Sequence, residues 1–220
     1  IMANKLGVHS NQIEPNEKEI SIEIKKMIWH LENPPENSLM SSWYTFKLVS
    51  STDVKVTLDG QGADEQLAGY LPYLINYISS LSLFDIISES KKCIKIPSAK
   101  KFVIIGLLMG LYRMLFGEKF LKFTLKKVFN RDFEVNLNKR LADDTMTNLI
   151  TLIHFADHTS MAYSIESRMP FMDYRLVEFL ATVPACYKMR GGWTKYIARV
   201  AFDGKLPDEV NWRQDKMGWP

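Results

Sequence analysis

The residues of this 220-residue chain best arranged for chemistry lie between Val54 and Glu65, in the run VKVTLDGQGADE. Val54, Val56 and Leu58 alternate with polar residues and stop at Asp59-Gly60, which predicts a short strand feeding a tight loop, and a helix is expected to begin near Ala63. Gly60 and Gly62 then stand between strand and helix, where backbone N–H groups can approach an anionic ligand without side-chain hindrance. Asp64 and Glu65 fall in the first helical turn and would repel a phosphate unless a cation lay between them, for which Mg²⁺ is the expected mediator. The same residues also suit a purely structural role, because acidic residues in a first turn favour the helix dipole and glycines turn the chain. The run is neither a Walker loop nor a dinucleotide fingerprint: Lys and Ser/Thr do not follow, and the third glycine, Gly69, comes late.

A second group lies in DHTSMAYSIESRMPFMD, Asp157 to Asp173. Glu166, Arg168 and Asp173 stand at short spacing around Pro170 and read most simply as a salt-bridged knot. His154 and His158 are four apart and could share a helix face as metal ligands. No carboxylate or cysteine completes such a set, so a structural role is expected. Further on, GGWTKYIAR (191–199) places Lys195 at the start of a helix after a flexible turn; taken alone, such a lysine reads as a solvated surface charge.

The elements that would position these residues are mostly helical. Asn16 to Leu31 repeats apolar residues at helical spacing (Ile20, Ile24, Met27, Ile28, Leu31), and Asn33-Pro34-Pro35 ends the pattern. Ser38 to Ser51 predicts a second helix. From Leu74 to Thr151 the pattern predicts helices broken at Pro97, Gly117 and Asn138. The most apolar stretch, Phe102 to Tyr112, is stopped by Arg113 well short of the roughly 20 residues that a bilayer core requires, so a buried helix is expected there. No repeat, low-complexity tract or Gly/Ser linker divides the chain, and one domain over 1–220 is the natural reading.

With 46% hydrophobic and 24% charged residues, the composition is globular and sufficient for a sizeable core. The 28 basic and 25 acidic residues are mixed along the chain, net +3, which leaves no electrostatic footprint for nucleic acid. Cys93 and Cys186 lack metal spacing and do not form a secreted disulfide scaffold, so a reducing cytoplasm is expected. A chain opening at Ile1 without a signal-type segment reads as a piece of a longer protein.

Leu58 to Tyr70, LDGQGADEQLAGY, resembles the glycine loop of asparagine synthetases, L-S-G-E-G-A-D-E-L-F-G-G-Y. Asp157 to Asp173 is similar to the family's D-R-x-S-M-A-x-S-x-E-x-R-x-P-F-L-D, and Leu206 to Pro220 to its L-P-x-x-I-x-x-R-x-K-x-G-F-x-x-P. The resemblance is strongest over 54–70 and 154–220 and slight between about 74 and 145. It implies a helix-rich α/β fold, part of an adenine nucleotide alpha hydrolase-like (PP-loop ATP pyrophosphatase) domain with a small parallel sheet and a C-terminal helical region. It further implies that Asp59, Gly60 and Gly62 lie against the nucleotide, that Asp64 and Glu65 sit near magnesium and pyrophosphate, and that Lys195, the first choice for a catalytic residue, reaches the phosphates. Two positions depart from the pattern. His158 stands where an arginine is usual, and Gln61 stands where many members carry a glutamate linked to adenylate formation and to proton removal from ammonia. An amide has no useful pKa, so Gln61 can orient a substrate but cannot act as a general base, and Glu166 is the carboxylate best placed to substitute for it or to orient it.

The reaction so implied is activation of aspartate by ATP with Mg²⁺, then displacement of AMP by ammonia drawn from glutamine. Relatives hold the triphosphate on an S-G-G-x-D-S loop and release ammonia in an N-terminal glutaminase domain. Neither is found in this sequence, so both are expected in a preceding part of the same protein, and the 220 residues alone are expected to be inactive. No nucleic-acid or membrane partner is expected, and a homodimer stays open. β-Lactam synthetases and lasso-peptide cyclases, which share the scaffold, and a non-catalytic degenerate module are the alternatives.

Overall fold

The computed structural model describes residues 2–15, 17–33, 39–130 and 132–214. In chain order these form α1 (Met2–Leu6), α2 (Glu17–Leu31), α3 (Leu39–Ser50), β1 (Val56–Leu58), α4 (Ala63–Gln66), α5 (Tyr73–Ser80), α6 (Leu83–Cys93), α7 (Lys100–Phe116), α8 (Glu118–Phe129) and α9 (Leu137–Met146). There follow α10 (Asn148–Met161), β2 (Glu166–Arg168), a 3-10 turn at Pro170–Met172, α11 (Tyr174–Thr182), α12 (Ala185–Lys188), β3 (Met189–Arg190), β4 (Trp193–Thr194), α13 (Tyr196–Ala201) and α14 (Asp208–Asn211). The fold is helix-rich with a small parallel sheet, as expected. The described residues divide into two compact units, one within 2–61 and 148–173, the other within 62–147 and 174–214.

In the first unit, the periodicity of α2 turns Met27 and Leu31 onto Trp43 and Tyr44 of α3, and Phe155, Ala162 and Tyr163 close this core. Ile28, expected in the apolar stripe, is instead exposed. The terminating Pro34-Pro35 and the expected first residues Asn16 and Ser38 lie outside the described residues. Buried Glu23 accepts from Trp43 Nε1 at 2.8 Å and Lys47 Nζ at 3.1 Å. The strand is shorter than its alternation suggested. β1 pairs with β2 in parallel, with Val56 opposite Glu166, Thr57 opposite Ser167 and Leu58 opposite Arg168. The ladder continues at both ends, where Glu166 N donates to Lys55 O and Asp59 N to Arg168 O.

In the second unit, α5 is the centre of the core, burying Tyr73, Leu74, Tyr77 and Ile78 against Ile86, Val103, Leu137 and Leu141. Gly106 and Gly110, four apart on α7, allow that helix to lie close to α5: a Cβ on Gly106 would stand 3.0 Å from Ile78 Cβ, and one on Gly110 3.3 Å from Ser79 Cα. The breaks at Pro97 and Gly117 fall as expected. The break assigned to Asn138 falls earlier, because Asn136 is the residue whose side chain caps α9 by accepting from Lys139 N, which leaves Asn138 inside the first turn. The expectation of a buried helix at Phe102–Tyr112 holds for one face only: Val103, Gly106, Met109 and Gly110 are buried, whereas Ile104, Ile105, Leu108 and Leu111 are exposed. No described helix is long and apolar enough to cross a membrane.

Candidate active site

Gly62, at a left-handed φ of 88°, starts α4, and the first turn closes when Gln66 N donates to Gly62 O. Asp64 and Glu65 then diverge, as consecutive helical residues must, since they point about 100° apart. Asp64 reaches outward, and its Oδ1 lies 3.0 Å from Lys195 Nζ, both side chains about a third exposed. Glu65 turns inward, is 2% exposed, and accepts a 2.7 Å hydrogen bond from the Tyr70 hydroxyl. Burial and then the hydrogen bond and charge of Glu65 drive the Tyr70 hydroxyl well above its usual pKa, which keeps it a donor to Glu65.

The close approach of Asp64 to Lys195 depends on Gly69. A Cβ at that position would lie 1.7 Å from Asp64 Oδ1 and 2.4 Å from Lys195 Cε, a space that only glycine leaves empty. Ala68, just before it, holds a left-handed φ of 57°, where the family's loop carries glycine. The sequence signal for Gly69 and Ala68 is confined to the AGY ending of the loop, Ala68 to Tyr70.

Lys195 is held from the other side of the chain. β3 and β4 form a two-residue antiparallel pair, Met189 opposite Thr194 and Arg190 opposite Trp193. Their connecting turn is docked on α6, because Gly191 N donates to Glu89 Oε2 at 2.7 Å and a Cβ on Gly192 would stand 3.0 Å from Lys92 O. Lys195 itself caps α13 in a left-handed conformation, φ 53°, a strained backbone of the kind found where a side chain must be aimed. Behind it, Arg199 Nε donates to Thr194 O at 2.7 Å and its guanidinium to Asn211 O, while Asn211 Nδ2 donates back to Arg199 O. The lysine therefore stands on a short, well-braced helix. Nothing in its local sequence announces the partner on α4.

The remaining candidates belong to the first unit. Asp59, partly buried, extends the parallel ladder through its backbone, and exposed Gly60 and half-buried Gln61 follow it. Glu166 and Arg168 form an exposed ion pair, Nε to Oε1 2.8 Å, whose hydrogen bond and charge hold the Glu166 carboxyl below the usual range. The register sets Glu166 opposite Val56, at the end of β1 away from Asp59, and Arg168 at the end nearest to it. His154 and His158 lie with ring centroids 4.2 Å apart, and His158 Nδ1 is hydrogen-bonded to His30 O at 3.1 Å.

As a magnesium site, the donors fit in part. Among the described residues no group of three His, Cys, Asp or Glu is arranged to hold a metal ion. Mg²⁺ is commonly held by one or two carboxylates together with waters and substrate phosphates, and Asp64 is suited to supply one. Glu65 faces the interior here and is engaged by Tyr70.

The sequence profile of the asparagine synthase family matches residues 1–220. The chain is 26% identical to asparagine synthetase [glutamine-hydrolyzing] 1 of Bacillus subtilis (strain 168), over 99% of this chain and 39% of that protein. It is 24% identical to the amidase chyE of Penicillium rubens, over 94% of this chain and 38% of the relative. It is 22% identical to asparagine synthetase B of Escherichia coli (strain K12), over 98% and 30% respectively. The chain thus spans well under half the length of these relatives. A match over the whole chain, together with a glycine loop whose aspartate meets the expected lysine, shows that this chain belongs to the asparagine synthase family.

Proposed function

We propose that the full-length protein forms asparagine from aspartate, ATP and glutamine-derived ammonia through a β-aspartyl-AMP intermediate, and that all 220 residues belong to its synthetase domain. The aspartate side-chain carboxylate attacks the α-phosphorus of ATP and pyrophosphate leaves; ammonia then attacks the acyl carbon and AMP departs. Both steps move charge onto phosphate oxygens. The observation that carries the reading is the Asp64–Lys195 pair: a compact ammonium, fixed by a carboxylate at 3.0 Å on a strained helix start, is a preorganised cation for the leaving pyrophosphate. Bound Mg²⁺ would supply further charge neutralisation of the phosphates, with Asp64 as its carboxylate ligand.

The other residues take supporting roles. Asp59, Gly60 and Gly62 serve the nucleotide, and Glu65, bonded to Tyr70, fixes the first turn of α4. Gln61 orients a substrate by hydrogen bonds. Glu166, kept ionised by Arg168, orients rather than removes a proton, because a carboxyl of lowered pKa is a weak base. The 220 residues alone are proposed to be inactive.

A second reading is favoured by Gln61, the departure from the glutamate of the family's loop: the same ATP chemistry on another carboxylic acid, as in β-lactam synthetases or lasso cyclases. The test is pyrophosphate release by the full-length protein with ATP, Mg²⁺ and ammonia across a panel of carboxylic acids. Selective stimulation by aspartate supports the first reading, stimulation by another acid the second, and release by none would overturn both.

A further inference from the structure

A cavity of about 110 Å³ in the second unit lies among α4, α9, α11 and α12. Its wall is mostly apolar, with Leu141, Val177 and Leu180 as the larger contributors. Into this wall is set Lys188, the last residue of α12, which is 1% exposed. Among the described residues its ammonium makes neither an ion pair nor a hydrogen bond. Asn138 supplies a second unmet group. Its Nδ2 donates to Val183 O at 2.9 Å, which fixes the amide, and its Oδ1 is buried without a hydrogen-bond donor. Asn138 Oδ1 is fully buried, whereas Lys188 Nζ keeps a little accessible surface; a nearly buried cation without a counter-charge and a buried acceptor without a donor are each costly, and both residues line one cavity.

We propose that this cavity is a binding site for a small organic carboxylate, whose anionic end pairs with Lys188 and whose short aliphatic part covers Leu141, Val177 and Leu180. The volume corresponds to roughly three or four waters' share of the liquid, which suits an acid of two or three carbons. A hydroxyl on such an acid would give Asn138 Oδ1 its missing donor, which favours a 2-hydroxy acid over a plain one. An inorganic anion would answer the charge of Lys188 but leave the apolar wall uncovered. Burial alone pushes the Lys188 ammonium down to about 8, and no other titratable side chain lines the cavity to relieve it. The site is separate from the Asp64–Lys195 pair. It nevertheless touches both segments that carry the pair, through Gln66 on α4 and through Lys188, from which the chain runs by β3 and β4 to Lys195.

The test uses the full-length protein at pH 7, with lactate, acetate and chloride as probes and thermal unfolding and calorimetry as readouts. Lactate should raise the melting temperature saturably, acetate less, and chloride at equal ionic strength should not. Lys188→Met, which replaces the buried charge by an apolar chain of similar length, should weaken lactate binding about tenfold or more. Ala142→Leu, which fills the cavity and keeps the lysine, should abolish it. Equal stabilisation by chloride and lactate would overturn the assignment to an organic acid. Unchanged lactate binding in both folded variants, or none in the unmodified protein, would overturn the site.

Discussion

Replacing Gly69 by alanine tests the geometry of the site with a single methyl group. Gly69 does not require a left-handed backbone, so the substitution adds volume without backbone strain. The new Cβ would start 1.7 Å from Asp64 Oδ1, and ordinary contact begins at 3.4 Å, so the carboxylate must retreat by about the difference, 3.4 − 1.7 = 1.7 Å, and Lys195 Cε must move as well. The 3.0 Å pair cannot survive that displacement. Stability should hardly register the loss, because a pair about a third exposed contributes no more than about 1 kcal/mol, equivalent to a few degrees in melting temperature. Catalysis should register it strongly, since a misplacement of about 1 Å in a catalytic group costs on the order of 10²-fold in rate. The assay is pyrophosphate release by the full-length Gly69→Ala protein beside its melting curve. A fall of about 100-fold with near-normal melting is the expected result, and a wild-type rate would refute the view that the Asp64–Lys195 contact matters.

Three further outcomes follow from the same structure. Ala68→Gly relieves a left-handed alanine but also removes a fully buried core methyl, and since each effect is worth about 1 kcal/mol the stability in denaturant unfolding should change by less than about 1 kcal/mol; a loss of about 3 kcal/mol or more would contradict that balance. Burial works to raise the Glu23 carboxyl, but hydrogen bonds from Trp43, Lys47 and Lys26 outweigh it and hold it at about 2. Its stabilisation of up to about 3 kcal/mol is therefore present above the ordinary 4.5 and is lost as pH falls towards 2; Glu23→Gln should remove that acid limb, and an unchanged limb would contradict the assignment. Glu166→Gln should lower the ammonia-dependent rate by less than about tenfold and leave its pH profile in place; loss of about 10³-fold together with a basic group from the profile would identify Glu166 as the missing base.

Much of the site was legible because its parts are local. A strand ending at Asp59, a turn of glycines and a helix start at Ala63 are written in consecutive residues, and the structure keeps that order with a shorter strand. The meeting of Asp64 with Lys195 was not legible from either segment, because an ion pair between distant parts of the chain leaves no periodic trace. Glu65 illustrates a different gap: two adjacent carboxylates look equivalent in sequence, but the helical rotation sends one to Lys195 and the other to Tyr70. At Asn136 and Asn138, two residues of the same type compete for one cap, and only the bond to Lys139 N decides between them. The apolar run of α7 has no polar face to mark its solvent side, which is why a half-buried helix read as a buried one.

The proposed reaction rests on activation of a side-chain carboxylate at the α-phosphorus of ATP. Aspartate labelled with ¹⁸O in its side-chain carboxylate, turned over by the full-length protein with ATP, Mg²⁺ and ammonia, tests it directly by mass measurement of the nucleotide product. One ¹⁸O in AMP, left there when ammonia displaces the adenylate, is the expected result. Unlabelled AMP, or ADP with labelled phosphate, would contradict it.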